Sequence, residues 1–172
     1  MKTRRLIALS AVLTIVVAAS CDRGSSPVSP ATNVDALFVH PLGNIQLLAC
    51  TPLPADSTTA AIGPRGGIIS VGPHHLVVPR GALSSVVNIT AIVPSDTVNR
   101  VVFLPSGLTF RWPARLEMSY ANCGVLQRLL PHRIAYIDDA FNILDLLPSL
   151  DNLLRQRVSA RIHHFSDYAV AW

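Results

Sequence analysis

Apolar and polar positions alternate through most of this chain. In residues 51–172, short runs have an apolar residue at every second position, and turns rich in Pro and Gly separate the runs. An alternation of this period puts successive side chains on opposite faces of a β-strand, so each run predicts a strand with one buried face. The predicted strands cover residues 68–71, 75–78, 87–93, 101–104, 108–111, 115–120, 133–138 and 157–172. Many short strands spaced by turns predict a mainly β fold, an antiparallel β-sandwich.

One stretch departs from the period of two. Its apolar residues recur at helical spacing, with Asn, Asp and Arg on the other side: Ile143, Leu146, Leu147, Leu150, Leu153 and Leu154. The spacing predicts a short helical insertion near residues 142–156. Because Pro148 lies inside it, we expect two helical turns around a kink. We expect the leucines to cover one open end of the sandwich; a partner-binding groove is the alternative.

The first twenty residues predict an export signal. Lys2, Arg4 and Arg5 precede an apolar run of fourteen residues, 6–19, which is short for a membrane span. We interpret residues 1–20 as a signal peptide. The Arg4-Arg5 pair also matches a twin-arginine signal weakly, and ordinary secretion is the simpler interpretation.

Small residues precede a cysteine in the sequence Val17-Ala18-Ala19-Ser20-Cys21. This motif resembles the bacterial lipobox, in which the signal peptide is removed before the cysteine and the cysteine is acylated. The commonest lipobox has Leu where this chain has Ala18. The resemblance implies a membrane partner through a lipid anchor at Cys21 and a place in the bacterial cell envelope, periplasmic or surface-exposed. The alternative is cleavage near Ala19 with Cys21 unmodified.

A polar segment follows Cys21. Residues 22–30 are rich in Ser, Pro and Gly and have no apolar periodicity, as is typical of a tether. The predicted organisation is a signal peptide at residues 1–20, then the lipidated cysteine, tether and lead-in segment at 21–50. The β-sandwich domain follows at 51–172.

Three motifs in the predicted sandwich resemble the zona-occludens/Unc-five (ZU-5) domain. Gly66-Gly67-Ile68-Ile69, followed by Leu76 to Leu83 with Pro79 and Gly81, is similar to the family's opening pattern. The sequence Pro105-Ser106-Gly107-Leu108-Thr109-Phe110 is similar to its P-x-G-L-T-F pattern. His164-Phe165-Ser166-Asp167-Tyr168 is similar to its closing H-F-S-x-Y. The resemblance covers residues 62–120 and the last strand, and residues 121–157 match no family pattern.

The resemblance implies a β-sandwich interaction module, as in netrin receptors, ankyrins and tight-junction scaffolds, without a shared enzyme activity. Some ZU-5 domains cleave themselves at H-F-S, so it also implies an alternative, cleavage between Phe165 and Ser166. Ser166 Oγ would attack the Phe165 carbonyl while His164 removes the hydroxyl proton. The competing structural interpretation is that Phe165 and Tyr168 close the core around a kink.

The cysteine count predicts a disulfide. With Cys21 acylated, Cys50 and Cys123 remain as an even pair in an oxidising compartment. Two free buried thiols are the alternative. No metal site is predicted, because these cysteines are far apart and the pairs His74-His75 and His163-His164 put neighbours on opposite strand faces.

Composition narrows the function classes. The chain is 50% hydrophobic and 14% charged, which excludes a disordered protein. Residues 1–20 hold three of its 14 Lys and Arg, so 11 basic residues remain against 10 acidic ones. That balance favours neither a nucleic-acid partner nor a polybasic membrane role.

No motif predicts catalysis. G-x-S-x-G, H-E-x-x-H and the phosphate loop are absent, and Asp138-Asp139 falls at a strand end where a turn favours Asp. We therefore expect no enzyme activity and no cofactor, and a binding or structural role with an unidentified protein or envelope partner. An exported hydrolase with an unrecognised site is a weaker alternative.

Overall fold

Eleven β-strands form the fold of residues 45–172, the part of the chain that the computed structural model describes. One 3-10 turn, Gln127–Leu129, lies between the sixth and seventh strands. The strands are β1 Asp56–Ile62, β2 Gly67–Val71, β3 His74–Val78, β4 Val87–Val93, β5 Arg100–Leu104, β6 Thr109–Ser119, β7 Arg133–Ile137, β8 Ile143–Leu146, β9 Ser149–Asn152, β10 Arg157–His164 and β11 Asp167–Ala171.

The strands form two antiparallel sheets. One has the order β1-β4-β5-β11-β7-β8 and the other β2-β3-β6-β10-β9. The prediction of a mainly β sandwich is confirmed. The alternation that predicted the strands also sets burial: in β4, Ile89 and Ala91 are buried while Asn88 is exposed. The largest fully buried side chains are Tyr120, Tyr168, Phe103, Phe165, Leu48, Leu76, Ile89, Leu116, Met118, Ile134, Ile137 and Ile162.

Gly66 fixes the turn between β1 and β2. Its φ of +75° is rarely adopted by residues with a Cβ. A Cβ at this position would also collide with the backbone carbonyl oxygen of Val78. Glycine is therefore required here by both conformation and space.

The predicted helical insertion near residues 142–156 is wrong. The segment forms β8, which pairs with β7, and β9, which pairs with β10, so it adds an edge strand to each sheet. A strand at a sheet edge pairs its backbone with the neighbouring strand, whereas a two-turn helix leaves several N–H and C=O groups at its ends without intrahelical partners.

The leucines of this segment do not form the expected cover. Leu150 is 79% exposed and Leu154 is 98% exposed. Ile143 and Leu146 instead pack on a small apolar cluster with Ala135 and Ile137. The helical spacing of the leucines therefore predicted a common buried face that the structure does not have.

Three other features of the strands differ from the prediction. β1 was not predicted, because its sequence, DSTTAAI, has few large apolar residues. Residues 108–111 and 115–120 fall largely within one long strand, β6. The predicted strand 157–172 is divided into β10, in the five-stranded sheet, and β11, in the centre of the six-stranded sheet. The chain thus crosses from one sheet to the other at Phe165 and Ser166.

Residues 45–50 of the lead-in segment are hydrogen-bonded to the sandwich. Leu48 N–H donates to the Val170 carbonyl at 2.8 Å, and Cys50 N–H donates to the Thr97 carbonyl at 2.8 Å. Leu48 itself is fully buried. Residues 45–50 therefore belong to the folded unit. The predicted signal peptide, Cys21 and the tether lie outside the described residues.

Candidate functional site

Phe165 anchors the crossover between the sheets. Its ring is buried, stacks on Phe103 with 5.1 Å between ring centroids, and meets Phe110 edge-on at 5.0 Å. Such aromatic pairs contribute stability beyond the area that they bury. The structure supports the interpretation that Phe165 closes the core.

Backbone hydrogen bonds hold both sides of this crossover. Phe165 N–H donates to the Leu108 carbonyl at 2.8 Å, and Gly107 N–H donates to the Phe165 carbonyl at 2.9 Å. The Tyr168 hydroxyl donates to the His164 carbonyl at 2.7 Å. Burial raises the pKa of Tyr168, so its hydroxyl stays protonated and keeps this bond. Two of the motifs that resemble ZU-5, residues 105–110 and 164–168, are therefore in direct contact.

His164 faces the Phe165 carbonyl. Its Nδ1 atom lies 3.4 Å from the Phe165 oxygen, and its ring packs edge-on against Tyr136 at 5.1 Å. Within residues 45–172, no hydrogen bond joins the Ser166 hydroxyl to His164. The structure thus brings His164 to the carbonyl that cleavage would break, but the predicted pair of nucleophile and base is not assembled. The Gly107 N–H, which donates to the same oxygen, would stabilise the negative charge that cleavage would develop there.

The predicted cysteine pair is found at one end of the sandwich. Cys50 and Cys123 are joined in a disulfide, with 73 residues of sequence separation. The bond ties the lead-in segment to the loop between β6 and β7. The buried side chain of Asn99 donates to the Ser119 carbonyl at 2.9 Å and so holds the end of β6 where this loop begins.

A buried polar cluster lies close to this loop, and the sequence did not predict it. The Tyr120 hydroxyl donates to Asp151 at 2.7 Å, and His132 N–H donates to the same carboxylate at 2.9 Å. The His132 ring stacks on Tyr120 at 4.0 Å and its Nδ1 lies 3.2 Å from Asp151. Burial, then Asp151, raises the pKa of Tyr120, so the hydroxyl remains a donor. The cluster joins β9 to the two ends of the β6–β7 loop.

This cluster lacks the composition of a metal site. In the part of the chain from Ile45 onward, no three His, Cys, Asp or Glu side chains are grouped so that they could hold a metal ion. The cluster has one imidazole, one carboxylate and a protonated phenol. Its chemistry is that of a hydrogen-bonded clamp.

Asp138 has the turn role that its position predicted. Its carboxylate accepts the backbone N–H groups of Ala140 and Asn142 and the side chain of Asn142. The bonds to Asn142 hold the pKa of Asp138 below its ordinary value. The carboxylate therefore stabilises the turn between β7 and β8.

Comparison with known proteins adds no family assignment. No protein-family model matches the chain, and no curated protein matches it. The ZU-5 resemblance therefore rests on the sequence motifs. Within residues 45–172, no helix is long and apolar enough to span a membrane.

Proposed function

We propose that this chain is a lipid-anchored protein of the bacterial envelope, whose ZU-5-like β-sandwich has a non-enzymatic binding or structural role. The observation that carries the proposal is the cationic start, the apolar run 6–19 and the small residues before Cys21. The Cys50–Cys123 disulfide supports it, because such bonds persist in oxidising compartments outside the cytoplasm.

The polar clusters of residues 45–172 support a binding or structural role. Asp151 joins Tyr120 and His132, and Asp138 closes a turn. Each carboxylate holds two or more groups of the fold together through hydrogen bonds. These groups have a structural use that requires no substrate.

Replacing Cys21 by Ser is expected to move the protein from the membrane fraction to the soluble fraction. The serine hydroxyl cannot form the thioether through which a lipobox cysteine is anchored. The matched control is Ser20→Ala, which keeps a small residue before Cys21 and should remain membrane-bound. Fractionation with immunoblotting, together with intact mass of the membrane-bound form, measures both. Membrane retention of Cys21→Ser would refute the anchor.

A second candidate function is self-cleavage between Phe165 and Ser166. The observation that favours it is the pair of groups facing the Phe165 oxygen, Gly107 N–H at 2.9 Å and His164 Nδ1 at 3.4 Å. Ser166 Oγ would attack the carbonyl carbon, the peptide C–N bond would break, and the hydroxyl proton would pass to the Ser166 amine. Water would then hydrolyse the ester, releasing the Phe165 carboxylate.

The mass of the denatured protein tests this second function. Cleavage would give a heptapeptide, residues 166–172. Because β11 lies between β5 and β7, the released peptide would stay paired in the folded protein, and denaturation is needed before mass measurement. We expect a single intact mass after long incubation at pH 7. A heptapeptide from the wild type and from the control Ser159→Ala, but not from Ser166→Ala, would instead establish cleavage.

A further inference from the structure

The outer face of the five-stranded sheet is basic. The outward side chains of β6 and β10 include Arg115, Glu117, Arg157 and Arg161, which we call the basic face. Glu117 is its one carboxylate among the outward positions of these two strands, and it bonds Arg157 at 3.1 Å and Arg115 at 3.5 Å. These outward positions thus carry three guanidinium groups against one carboxylate, and Arg161 is not paired with it.

Two arginines of the basic face lie directly opposite each other. Arg115 on β6 is the cross-strand partner of Arg161 on β10. Like charges in this position destabilise a sheet. Within residues 45–172, Arg161 forms no ion pair that would offset the repulsion. An external anion would remove this repulsion.

The six-stranded sheet and its turns contain more acidic than basic residues. The strands and turns of the six-stranded sheet carry mostly acidic residues, with Arg100 and Arg133 as the arginines of its strands. The acidic residues are Asp56, Asp96, Asp138, Asp139, Asp145 and Asp167. The near-neutral net charge of the sequence therefore conceals an uneven distribution of charge between the two sheets.

A groove of about 280 Å³ crosses the basic face between β6, β10 and β9. Arg115, Arg155 and Arg157 line it, together with two carboxylates, Glu117 and Asp151, and with Leu150, Asn152 and Ser159. Guanidinium groups bind phosphate oxygens through two parallel hydrogen bonds. The three guanidinium groups exceed the two carboxylates by one, and the Ser159 hydroxyl and the Asn152 amide add uncharged donors for a phosphate group.

Exposed apolar residues flank the arginines. Ile68 on β2 lies in the same cross-strand row as Arg115 and Arg161, and it is 66% exposed. Leu150 on β9 lies in the row of Glu117, at the other edge of the sheet, and is 79% exposed. A soluble polyanion would match the arginines but leave both apolar side chains in water. An anionic lipid surface would contact both the arginines and the apolar side chains.

We propose that the basic face rests on an anionic membrane surface and that its groove receives a lipid phosphate group. The biological setting rests on the proposed lipid anchor, which would hold the domain at a membrane. The 23 residues 22–44 separate Cys21 from the described domain. Fully extended, a segment of this length spans at most ~83 Å, which is ample for the domain to turn this face to the bilayer.

Vesicle binding tests the proposal without the anchor. The chain from Asp22 onward retains residues 45–172 with their complete core and lacks the acylation site. We expect it to sediment with phosphatidylglycerol vesicles, to leave phosphatidylcholine vesicles unbound, and to dissociate as salt rises. Each basic residue at an anionic surface contributes about fivefold, so Arg115→Gln with Arg161→Gln should weaken binding about 25-fold.

Two control variants separate charge from structure. Arg161→Lys keeps the charge and should keep the binding, and Arg133→Gln removes one charge from the six-stranded sheet and should leave it unchanged. Equal binding by the double variant, equal weakening by Arg133→Gln, or no preference for phosphatidylglycerol would overturn the proposal. Binding to soluble polyglutamate as tight as to the vesicles would also overturn the choice of a lipid surface. If the chain from Asp22 onward does not bind the vesicles while the full-length wild type stays in the membrane fraction, the proposed contact of the basic face is refuted and the proposed lipid anchor is not.

Discussion

Replacing Cys50 and Cys123 together by Ala is expected to lower the free energy of unfolding by about 4 kcal/mol. The disulfide closes a loop with 73 residues of sequence separation. In the unfolded chain, this link removes conformations that the open chain would otherwise sample, so its loss stabilises the unfolded state. Alanine is chosen because Cys123 is buried and a serine hydroxyl there would add its own desolvation cost.

Urea unfolding of the wild type, the double variant and the reduced wild type measures this effect. The reduced wild type should unfold close to the double variant, since both lack the cross-link. Single variants are less informative, because each leaves a free thiol. Non-reducing peptide mapping should recover one peptide pair joined by Cys50 and Cys123. Recovery of both thiols in free form from unreduced protein would contradict the prediction.

The strands were predictable where one face of the sheet is buried. In β4 and β6 the side chains alternate between core and surface, so the sequence carries the period directly. The sequence of β1 shows little of this alternation, because Ser, Thr and Ala make up most of this edge strand. The prediction for the residues of β8 and β9 failed for a different reason. Backbone pairing at the sheet edges decides their structure, and the spacing of leucines carries no information about that pairing.

The two cysteines of the disulfide could be predicted from their number and from the expected compartment. The clamp of Tyr120, His132 and Asp151 could not, because only the packing of β9 against the β6–β7 loop brings these residues together. The basic face was hidden in the same way. Arg115 and Arg161 are distant in sequence, and their repulsion becomes visible only when the register of β6 and β10 is known.

His74 provides a pH-dependent contribution to stability. It lies at the start of β3, is fully buried, and its Nδ1 accepts the Ser119 N–H at 3.2 Å. Burial, followed by the charges of His75 and Arg157, lowers the pKa of His74 from 6.5 to about 4. The imidazole is therefore neutral in the folded protein at pH 7, and it gains a proton more readily in the unfolded chain.

The sign of the effect follows from this difference. Between pH 6.5 and 4 the unfolded state binds more protons at His74 than the folded state, so stability falls as pH falls through this range. The stability is fully present above about pH 7. At 1.36 kcal/mol per pKa unit, the loss from this one residue is about 3 kcal/mol by pH 4.

His74→Asn is expected to remove this contribution. The Asn side-chain oxygen retains an acceptor for the Ser119 N–H, and the side chain does not titrate. Urea unfolding at intervals from pH 7.5 to 4 gives the free energy of both proteins. Other ionisable groups act in both, so the difference between the two curves isolates His74. That difference should shift by about 3 kcal/mol in favour of the variant as pH falls from 7 to 4. Parallel curves across this range would contradict the assignment of a neutral, buried His74.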